Sequence, residues 1–242
     1  MRRIKCFLIV LLLLPLFVVM QIEVSAVNSG FSTAALSDVD INTVLKNVNI
    51  SAVSEELQKR AVECFDVNEN GLIAVGCGDS EIKTVGIYTS DGAFQYGYSF
   101  KCNGSFGVEL ADDLLNIYIV RSDVGISVNR DGSVVSVFKI QNTAENDLYL
   151  RENIFSVVKK CGDTEYVVKN PNGLSLLFGS SYSQLVAVNK SGESDIIYSV
   201  DSSQIYGRMA LVAGIALFVC VVAVYVVRLL LNSHRKNKTM RS

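Results

Sequence analysis

The sequence predicts an all-β domain outside the cytosol that is joined to one C-terminal membrane-spanning helix. Residues 6–20 and 209–227 are almost purely apolar, whereas the chain between them is mixed in polarity. In that middle part, short runs rich in Val, Ile, Tyr and Phe alternate with Asn-Gly and Asp-Gly pairs. This pattern is typical of strands joined by tight turns. Only two of the 242 residues are proline, so proline does not interrupt the predicted strands.

The first apolar run has the features of a secretory signal peptide. It follows a basic start (MRRIK) and is about 15 residues long, which suits a signal sequence better than a membrane span. Val24-Ser25-Ala26 offers small or moderate residues at the cleavage positions. We therefore predict a signal peptide at 1–26, with an uncleaved anchor as the alternative.

The second apolar run is long enough to cross a bilayer. Its nineteen residues would span about 28 Å as a helix. We predict a transmembrane helix at 208–231 that contacts lipid through 209–231, followed by a basic tail at 232–242. Positive charge beside a span favours the cytosolic side. The expected protein is single-pass, in the plasma membrane or a secretory-pathway membrane, with its N-terminal domain outside.

Composition excludes several functions for the outer part. Residues 27–208 carry 23 acidic and 14 basic side chains, so we expect no nucleic-acid partner. The single His, His234, lies in the predicted tail, which leaves no Ser-His or Cys-His pair outside. A carboxylate pair remains possible. Acids near predicted strand ends are its candidates: Asp91, Glu109, Asp112, Asp113 and Asp123.

Several segments of the middle part resemble one another. FDVNENGLIAVG (65–76) is similar to YVVKNPNGLSLLFG (166–179), and VELADDLLNIYIV (108–120) is a looser copy. Each is followed about 20 residues later by a second predicted hairpin, so one unit of about 40 residues would form a four-stranded sheet. The second hairpins turn at Gly92, Gly132 and Gly192.

These three units, over about 62–200, resemble blades of β-propeller proteins in period and turn chemistry. No Trp-Asp dipeptide closes a unit, so no named repeat class is matched. The resemblance implies a rigid repeat scaffold at 61–207 that presents a binding surface.

Three blades do not close a propeller, which typically has four to eight. Residues 27–60, partly helical with a predicted helix at Ser54–Arg60, could add strands. Otherwise the array is open, with 141–160 as a cover for an edge, or two chains complete one another as a homo-oligomer. A β-sandwich is the alternative fold.

Four cysteines fall in the predicted outer domain: Cys64, Cys77, Cys102 and Cys161. If Asn70-Gly71 is a two-residue turn, Cys64 faces Cys77 across one hairpin, close enough for a disulfide. A four-residue turn over Asn68–Gly71 would instead shift the register and separate them. Cys102 and Cys161 would then be the remaining pair. Buried free thiols are the alternative, and a zinc site is not expected because no Cys-x-x-Cys occurs.

The segment Asp66–Gly71 matches the start of a calcium loop, D-x-N-x-N-G. The acid required later in such a loop is replaced by Ala74 or Cys77, so turn chemistry explains the segment better.

The sequence predicts no metal, no cofactor and no catalytic residue. The first functional hypothesis is a membrane-anchored binding or scaffold domain with a protein or glycan partner. A carboxylate-based carbohydrate enzyme and a structural subunit of an envelope complex are the alternatives.

Overall fold

The computed structural model describes residues 29–78, 80–111, 113–171 and 175–239. The predicted signal peptide therefore lies outside the described residues. Helix α1 spans Asp38–Val48, α2 spans Ala144–Tyr149 and continues as a π-helical turn over Leu150–Ile154, α3 spans Ser175–Phe178, and α4 spans Ser202–Thr239.

The described strands form three antiparallel sheets. In spatial order, sheet 1 contains β2 (Ser51–Val53), β6 (Phe94–Lys101), β5 (Ile82–Tyr88), β4 (Ile73–Cys77) and β3 (Val62–Val67). Sheet 2 contains β1 (Thr33–Ala35), β10 (Val134–Ile140), β9 (Val124–Val128), β8 (Leu114–Ile119) and β7 (Phe106–Ala111). Sheet 3 contains β11 (Val158–Cys161), β12 (Thr164–Lys169), β13 (Gln184–Val188) and β14 (Ser194–Ser199). The predicted all-β class with one C-terminal apolar helix is confirmed.

Each sheet is built on four consecutive strands, and sheets 1 and 2 each gain a fifth strand from the N-terminal segment. The helix of that segment is α1, which begins after Ser37, whose side chain accepts from the Asp40 N–H. Residues 54–60 contain no helix, so the prediction at Ser54–Arg60 was wrong. That stretch is too short to sustain a helix unaided, whereas α1 is three turns long and capped.

Four hairpins share one turn geometry, at 68–72, 89–93, 129–133 and 189–193. In each, the first residue donates its N–H to the carbonyl of the fifth, and the glycine in fourth place donates to the carbonyl of the first. Those glycines have φ between 77° and 84°, in the left-handed region. The loops therefore contain three residues and not the predicted two. The positions of these turns were predicted correctly, but the register of β3 and β4 is shifted by one.

The predicted hairpin at 166–179 is also corrected. Residues 166–169 belong to β12, but Ser175–Phe178 forms α3, and the next strand begins only at Gln184. Leu177 and Phe178 pack into the core beside sheet 3 from this helical turn. Gly173, the glycine of the Asn-Gly pair in that segment, lies outside the described residues.

Sheet 1 lies between the other two sheets. One of its faces packs on sheet 2 in a cluster that includes Tyr98, Phe106 and Ile117. The opposite face packs on sheet 3 in a cluster that includes Phe65 and Leu185. The spatial order is thus sheet 2, sheet 1, sheet 3, which differs from the chain order expected of consecutive propeller blades.

The segment predicted as a cover, 141–160, lies over the outer face of sheet 2 up to the start of β11. Ile154 packs there with Tyr118, which is fully buried. Tyr118 and Tyr149 both donate hydrogen bonds to the Glu109 carboxylate. This clamp ties the cover to β7 and keeps apolar surface on sheet 2 away from water.

The first strands of the three four-stranded units, β3, β7 and β11, meet at Asp66. Its carboxylate accepts from the Leu110 backbone N–H on β7 at 2.6 Å and from the Lys159 ammonium on β11 at 2.6 Å. The two side chains of the ion pair are 11% and 14% exposed. One buried carboxylate therefore links all three sheets.

Helix α4 is long and apolar enough to cross a membrane over Ser202–Leu229. It begins two residues after β14 ends. The Gln204 side-chain amide donates to the Lys59 carbonyl at 2.6 Å, and the Arg208 guanidinium donates to the Leu177 carbonyl at 3.2 Å. These bonds hold the start of the helix against the β domain.

Candidate functional site

The two ends of the sheets differ in character. Six tight turns of the described residues lie at one end, here called the turn end: the four three-residue turns, the turn between β7 and β8, and the turn between β11 and β12. The opposite end, here called the span end, carries the connections between sheets and the start of α4. The β3 residue Val62 is bridged to Tyr182, which brings the segment after α3 to the span end as well.

An open polar groove lies at the span end, where the connecting segments of all three sheets converge. Its first cavity has a volume of about 480 Å³. A second cavity of about 670 Å³ shares Glu81, Cys102 and Asn103 with the first and extends to α1 and Arg121. We call the two together the span-end groove. The volume of each cavity alone is in the range of small-molecule sites.

Lys83 forms the floor of this groove. The side chain is 6% exposed, and its ammonium donates to Glu63 Oε1 at 2.8 Å and to the Gly78 carbonyl at 2.5 Å. It also lies 5.8 Å from the centre of the Phe106 ring. Because Lys83 and Glu63 neutralise each other, the floor is polar without a net charge.

Gly78 is required beside this lysine. Its φ is 145°, and a Cβ there would lie 2.7 Å from Lys83 Cδ. A side chain would therefore displace the lysine from its two acceptors. The sequence IKTVGIY places Lys83 on the same side of β5 as the buried Val85 and Ile87. A lysine at an inward strand position was a signal of a polar interior site that the sequence analysis missed.

The rim supplies neutral hydrogen-bonding groups. Hydroxyls come from Ser80, Ser105 and Ser180, and Asn103 contributes an exposed amide. Phe155 adds part of an aromatic surface. Hydroxyls, an amide and an aromatic ring are the groups that orient polar ligands such as sugars or peptide amides. In the sequence, Asn103-Gly104-Ser105 matches the acceptor pattern for N-glycosylation, whereas Ser80, Phe155 and Ser180 carry no signal.

The cysteines do not pair as proposed. Because the hairpin register is shifted, Cys64 lies opposite Gly76, and Cys77 lies opposite Val62. The Cys64 side chain belongs to the cluster shared with sheet 2, whereas Cys77 belongs to the cluster shared with sheet 3. The two thiols thus point to opposite faces of sheet 1, and the predicted 64–77 disulfide is wrong in this geometry.

All five described cysteines are free thiols. Cys102 lines the groove, and burial raises its pKa, so its thiol stays protonated and is a poor nucleophile. Cys161 donates to the Asn68 carbonyl at 3.2 Å. Burial also raises the pKa of Cys77 to about 12. Cys64, Cys77 and Cys102 are buried and act as small core residues, whereas Cys161 is half-buried and Cys220 is exposed.

The acids proposed for catalysis are not brought together. Glu109 is held by two tyrosines, Asp91 bonds to Thr89 in a tight turn, and Asp123 pairs with Lys139 at 3.4 Å. Asp113 lies in the turn between β7 and β8, and Asp112 lies outside the described residues. The described carboxylates that line the groove are Glu63 and Glu81, which the sequence analysis did not identify.

The calcium-like segment uses its oxygens internally. Asp66 binds Lys159 and Leu110, as described above. Asn68 Oδ1 accepts from the backbone N–H groups of Asn70 at 3.1 Å and Leu72 at 2.9 Å, which shapes the turn. Among the described residues, no group of three or more His, Cys, Asp or Glu side chains is arranged to hold a metal ion.

Comparison with known protein families and with curated proteins gives no match to this chain. The function is therefore argued from the geometry of the span-end groove and from the attachment of the β domain to α4.

Proposed function

We propose that this protein is a single-pass membrane protein whose extracytoplasmic β domain binds a protein or glycan partner in the span-end groove. The carrying observation is an open groove at the convergence of three sheets, with hydroxyls and an amide on its rim above the paired Lys83 and Glu63. The sheets are tied together at Asp66, so the groove is pre-formed, and a pre-formed site loses little entropy on binding.

The position of the groove supports a role at the membrane surface. It lies at the same end of the domain as α4, and the bonds from Gln204 and Arg208 fix that helix to the domain. A ligand in the groove is thereby held close to the bilayer.

We further propose that the three four-stranded units are an incomplete β-propeller. The size of the units and the order of strands within each agree with this proposal, but the spatial order of the three sheets does not.

The chemistry of the floor favours binding over catalysis. Lys83 and Glu63 are bonded to each other, so neither is free to transfer a proton without breaking a buried ion pair. A carbohydrate-active enzyme remains the second candidate because Glu81 lines the same groove as Glu63. Glycoside hydrolysis needs two such carboxylates about 5–10 Å apart.

The binding proposal is tested with the full chain in lipid nanodiscs against panels of soluble oligosaccharides and peptides. Asn103→Trp fills the groove, whereas Gln95→Trp places the same side chain at an exposed position of β6 near the turn end. We expect a ligand whose affinity falls at least tenfold in the first variant and is unchanged in the second. Equal affinity in both variants would exclude the groove as the binding site.

The enzymatic candidate predicts that the protein hydrolyses chromogenic glycosides and that Glu81→Gln abolishes this hydrolysis.

The membrane orientation has its own test. Protease added to intact cells is expected to digest 27–207 and to spare the tail at 232–242, and the reverse pattern would invert the topology.

A further inference from the structure

The outer face of sheet 3 leaves apolar side chains exposed on its two edge strands, β11 and β14, and no described sheet packs upon it. This face is the one turned away from sheet 1. A row of four β-branched side chains crosses it, one from each strand in direct register: Val158, Val167, Val186 and Ile196. At the two edge strands Val158 is 36% and Ile196 is 59% exposed, whereas Val167 is half-buried and Val186 is 1% exposed; none of the hydrophobic clusters in the described residues includes any of the four.

The same row exists in the other two sheets, where a neighbouring sheet covers it. In sheet 2 the row faces sheet 1, and in sheet 1 it faces sheet 3. The equivalent residues, found from the strand registers, are Val108, Ile117, Ile126 and Val137 in sheet 2, and Phe65, Val75, Gly86 and Gly97 in sheet 1. Sheet 3 therefore repeats a packing surface and has no described sheet upon it.

The turns repeat the same relation. A Cβ at Gly132, in the last turn of sheet 2, would lie 2.9 Å from the Ala52 backbone nitrogen in sheet 1. A Cβ at Gly92, in the last turn of sheet 1, would lie 2.9 Å from the Ile197 carbonyl oxygen in sheet 3. Gly192 holds the same place in sheet 3 and has open space around it. The direction of packing thus runs from sheet 2 to sheet 1 to sheet 3 and stops there.

The neighbouring row shows that this face also meets water. In sheet 2 that row is wholly apolar: Leu110, Leu115, Val128 and Val134. In sheet 3 the same row reads Lys160, Glu165, Val188 and Ser194, and Lys160 pairs with Glu165 at 3.3 Å. An apolar centre beside a polar rim is typical of an interface between separate chains and not of a domain core.

We propose that a second copy of this chain packs on the outer face of sheet 3, related by a two-fold axis. Charge supports a second copy as the occupant. The outer domain is acidic overall, but this face and its turns balance Lys160 and Lys190 against Glu165 and Asp163. Two such faces can approach without net repulsion, and an isologous contact sets each lysine against a partner acid.

Continuity with the membrane helix supports the same occupant. Strand β14 of this sheet leads into α4 after two residues, so pairing two copies of sheet 3 brings two α4 helices into the same small patch of bilayer, each starting on the face of its sheet 3 that is turned toward sheet 1. Ala210 and Gly214 form a small-xxx-small pair on that helix, which permits close approach of helices in lipid. In the second copy, the outer face of sheet 2 is already occupied by the 141–160 cover, which leaves sheet 3 as its matching surface.

The size of the face sets where the dimer forms. Four strands of about five residues make a surface of roughly 19 Å by 17 Å. That is about 320 Å² per copy, well under the ~800 Å² of a stable soluble interface. Confinement of both copies to one bilayer raises their effective concentration. The dimer is therefore a membrane-dependent one, and it does not depend on which ligand the span-end groove binds.

The test measures dimerisation of the full chain in lipid vesicles, by energy transfer between donor- and acceptor-labelled copies over a range of protein-to-lipid ratios. Ile196→Lys puts a charge at the exposed end of the row, on edge strand β14. Ile82→Lys is the matched control, because Ile82 is 52% exposed on a strand of sheet 1. Far-UV circular dichroism and thermal unfolding establish that both variants fold.

We expect the wild type to dimerise in vesicles, Ile196→Lys to raise the required protein density at least tenfold, and Ile82→Lys to leave it unchanged. A wild type that stays monomeric at every density overturns the proposal and indicates that another protein covers the face. Equal dimerisation of both lysine variants also overturns it. In that case, loss of dimerisation in Gly214→Leu would assign the contact to α4 alone.

Discussion

Replacement of Asp66 by asparagine tests whether one carboxylate holds the three sheets together. The amide of the Asp66→Asn variant would keep an oxygen for the Leu110 N–H but would lose the charge that faces Lys159 at 2.6 Å. The ammonium would then remain 14% exposed without its counter-ion. Breaking a buried ion pair by removing one partner costs roughly 3–5 kcal/mol. Since the backbone hydrogen bond survives, we expect a loss of about 3 kcal/mol, at the lower end of that range.

This loss is large enough to measure in the full chain. For a domain of this size, 1 kcal/mol corresponds to roughly 2–4 °C in Tm, so Asp66→Asn is expected to lower Tm by about 6–12 °C. The chain has no Trp, so unfolding in detergent micelles is followed by near-ultraviolet circular dichroism of the tyrosines. Combining Asp66→Asn with Lys159→Met should recover part of the loss, because no buried charge is then left unpaired.

The matched control is Asp163→Asn. Asp163 pairs with Lys190 at 2.5 Å, but both side chains are more than 70% exposed. Exposed pairs contribute about 0–1 kcal/mol, so this variant should unfold within a few degrees of the wild type. If Asp66→Asn were no less stable than Asp163→Asn, the junction at Asp66 would have no structural role and the pre-formed groove would lose its main support.

Two further predictions concern the turns and the buried thiols. Gly92→Ala should lower the urea midpoint more than Gly192→Ala, because both glycines have φ of 83° but only the Cβ at 92 would meet the Ile197 carbonyl; equal midpoints would show that this turn does not pack on β14. With the Cys77 pKa at about 12, only about one thiol in ten thousand is ionised at pH 8. Disulfide-exchange reagents should therefore label Cys77 only after unfolding, and rapid labelling of the native protein would contradict its burial. The Cys77 pKa is raised above its unfolded value. The protonated thiol therefore contributes stability that is complete below about pH 8.5 and is lost as the pH rises toward 12. We expect the free energy of unfolding of Cys77→Ser to fall less than that of the wild type over this pH range.

The sheets were predictable because turn chemistry is local. Glycines such as Gly71 and Gly132 tolerate the positive φ that a hairpin needs, and their spacing indicated the four-stranded units. The register was not predictable from the Asn-Gly pair alone, because the Asn68 side chain accepts from two N–H groups and so selects a three-residue loop. That one-residue difference separated Cys64 from Cys77 and removed the expected disulfide.

The groove was not predictable because its parts come from distant places in the chain. Lys83 on β5, Asn103 before β7 and Ser180 after α3 meet only when three sheets pack together, and no spacing rule links them. The sequence did carry one partial signal, since a lysine at an inward position of a strand must have a buried partner. Glu63 supplies that partner. The Lys83 ammonium also donates to the Gly78 carbonyl, which holds Gly78 at the edge of the groove. The polar floor is thus a consequence of one inward charge, and the surrounding hydroxyls and amide convert that structural requirement into a surface suited to a polar ligand.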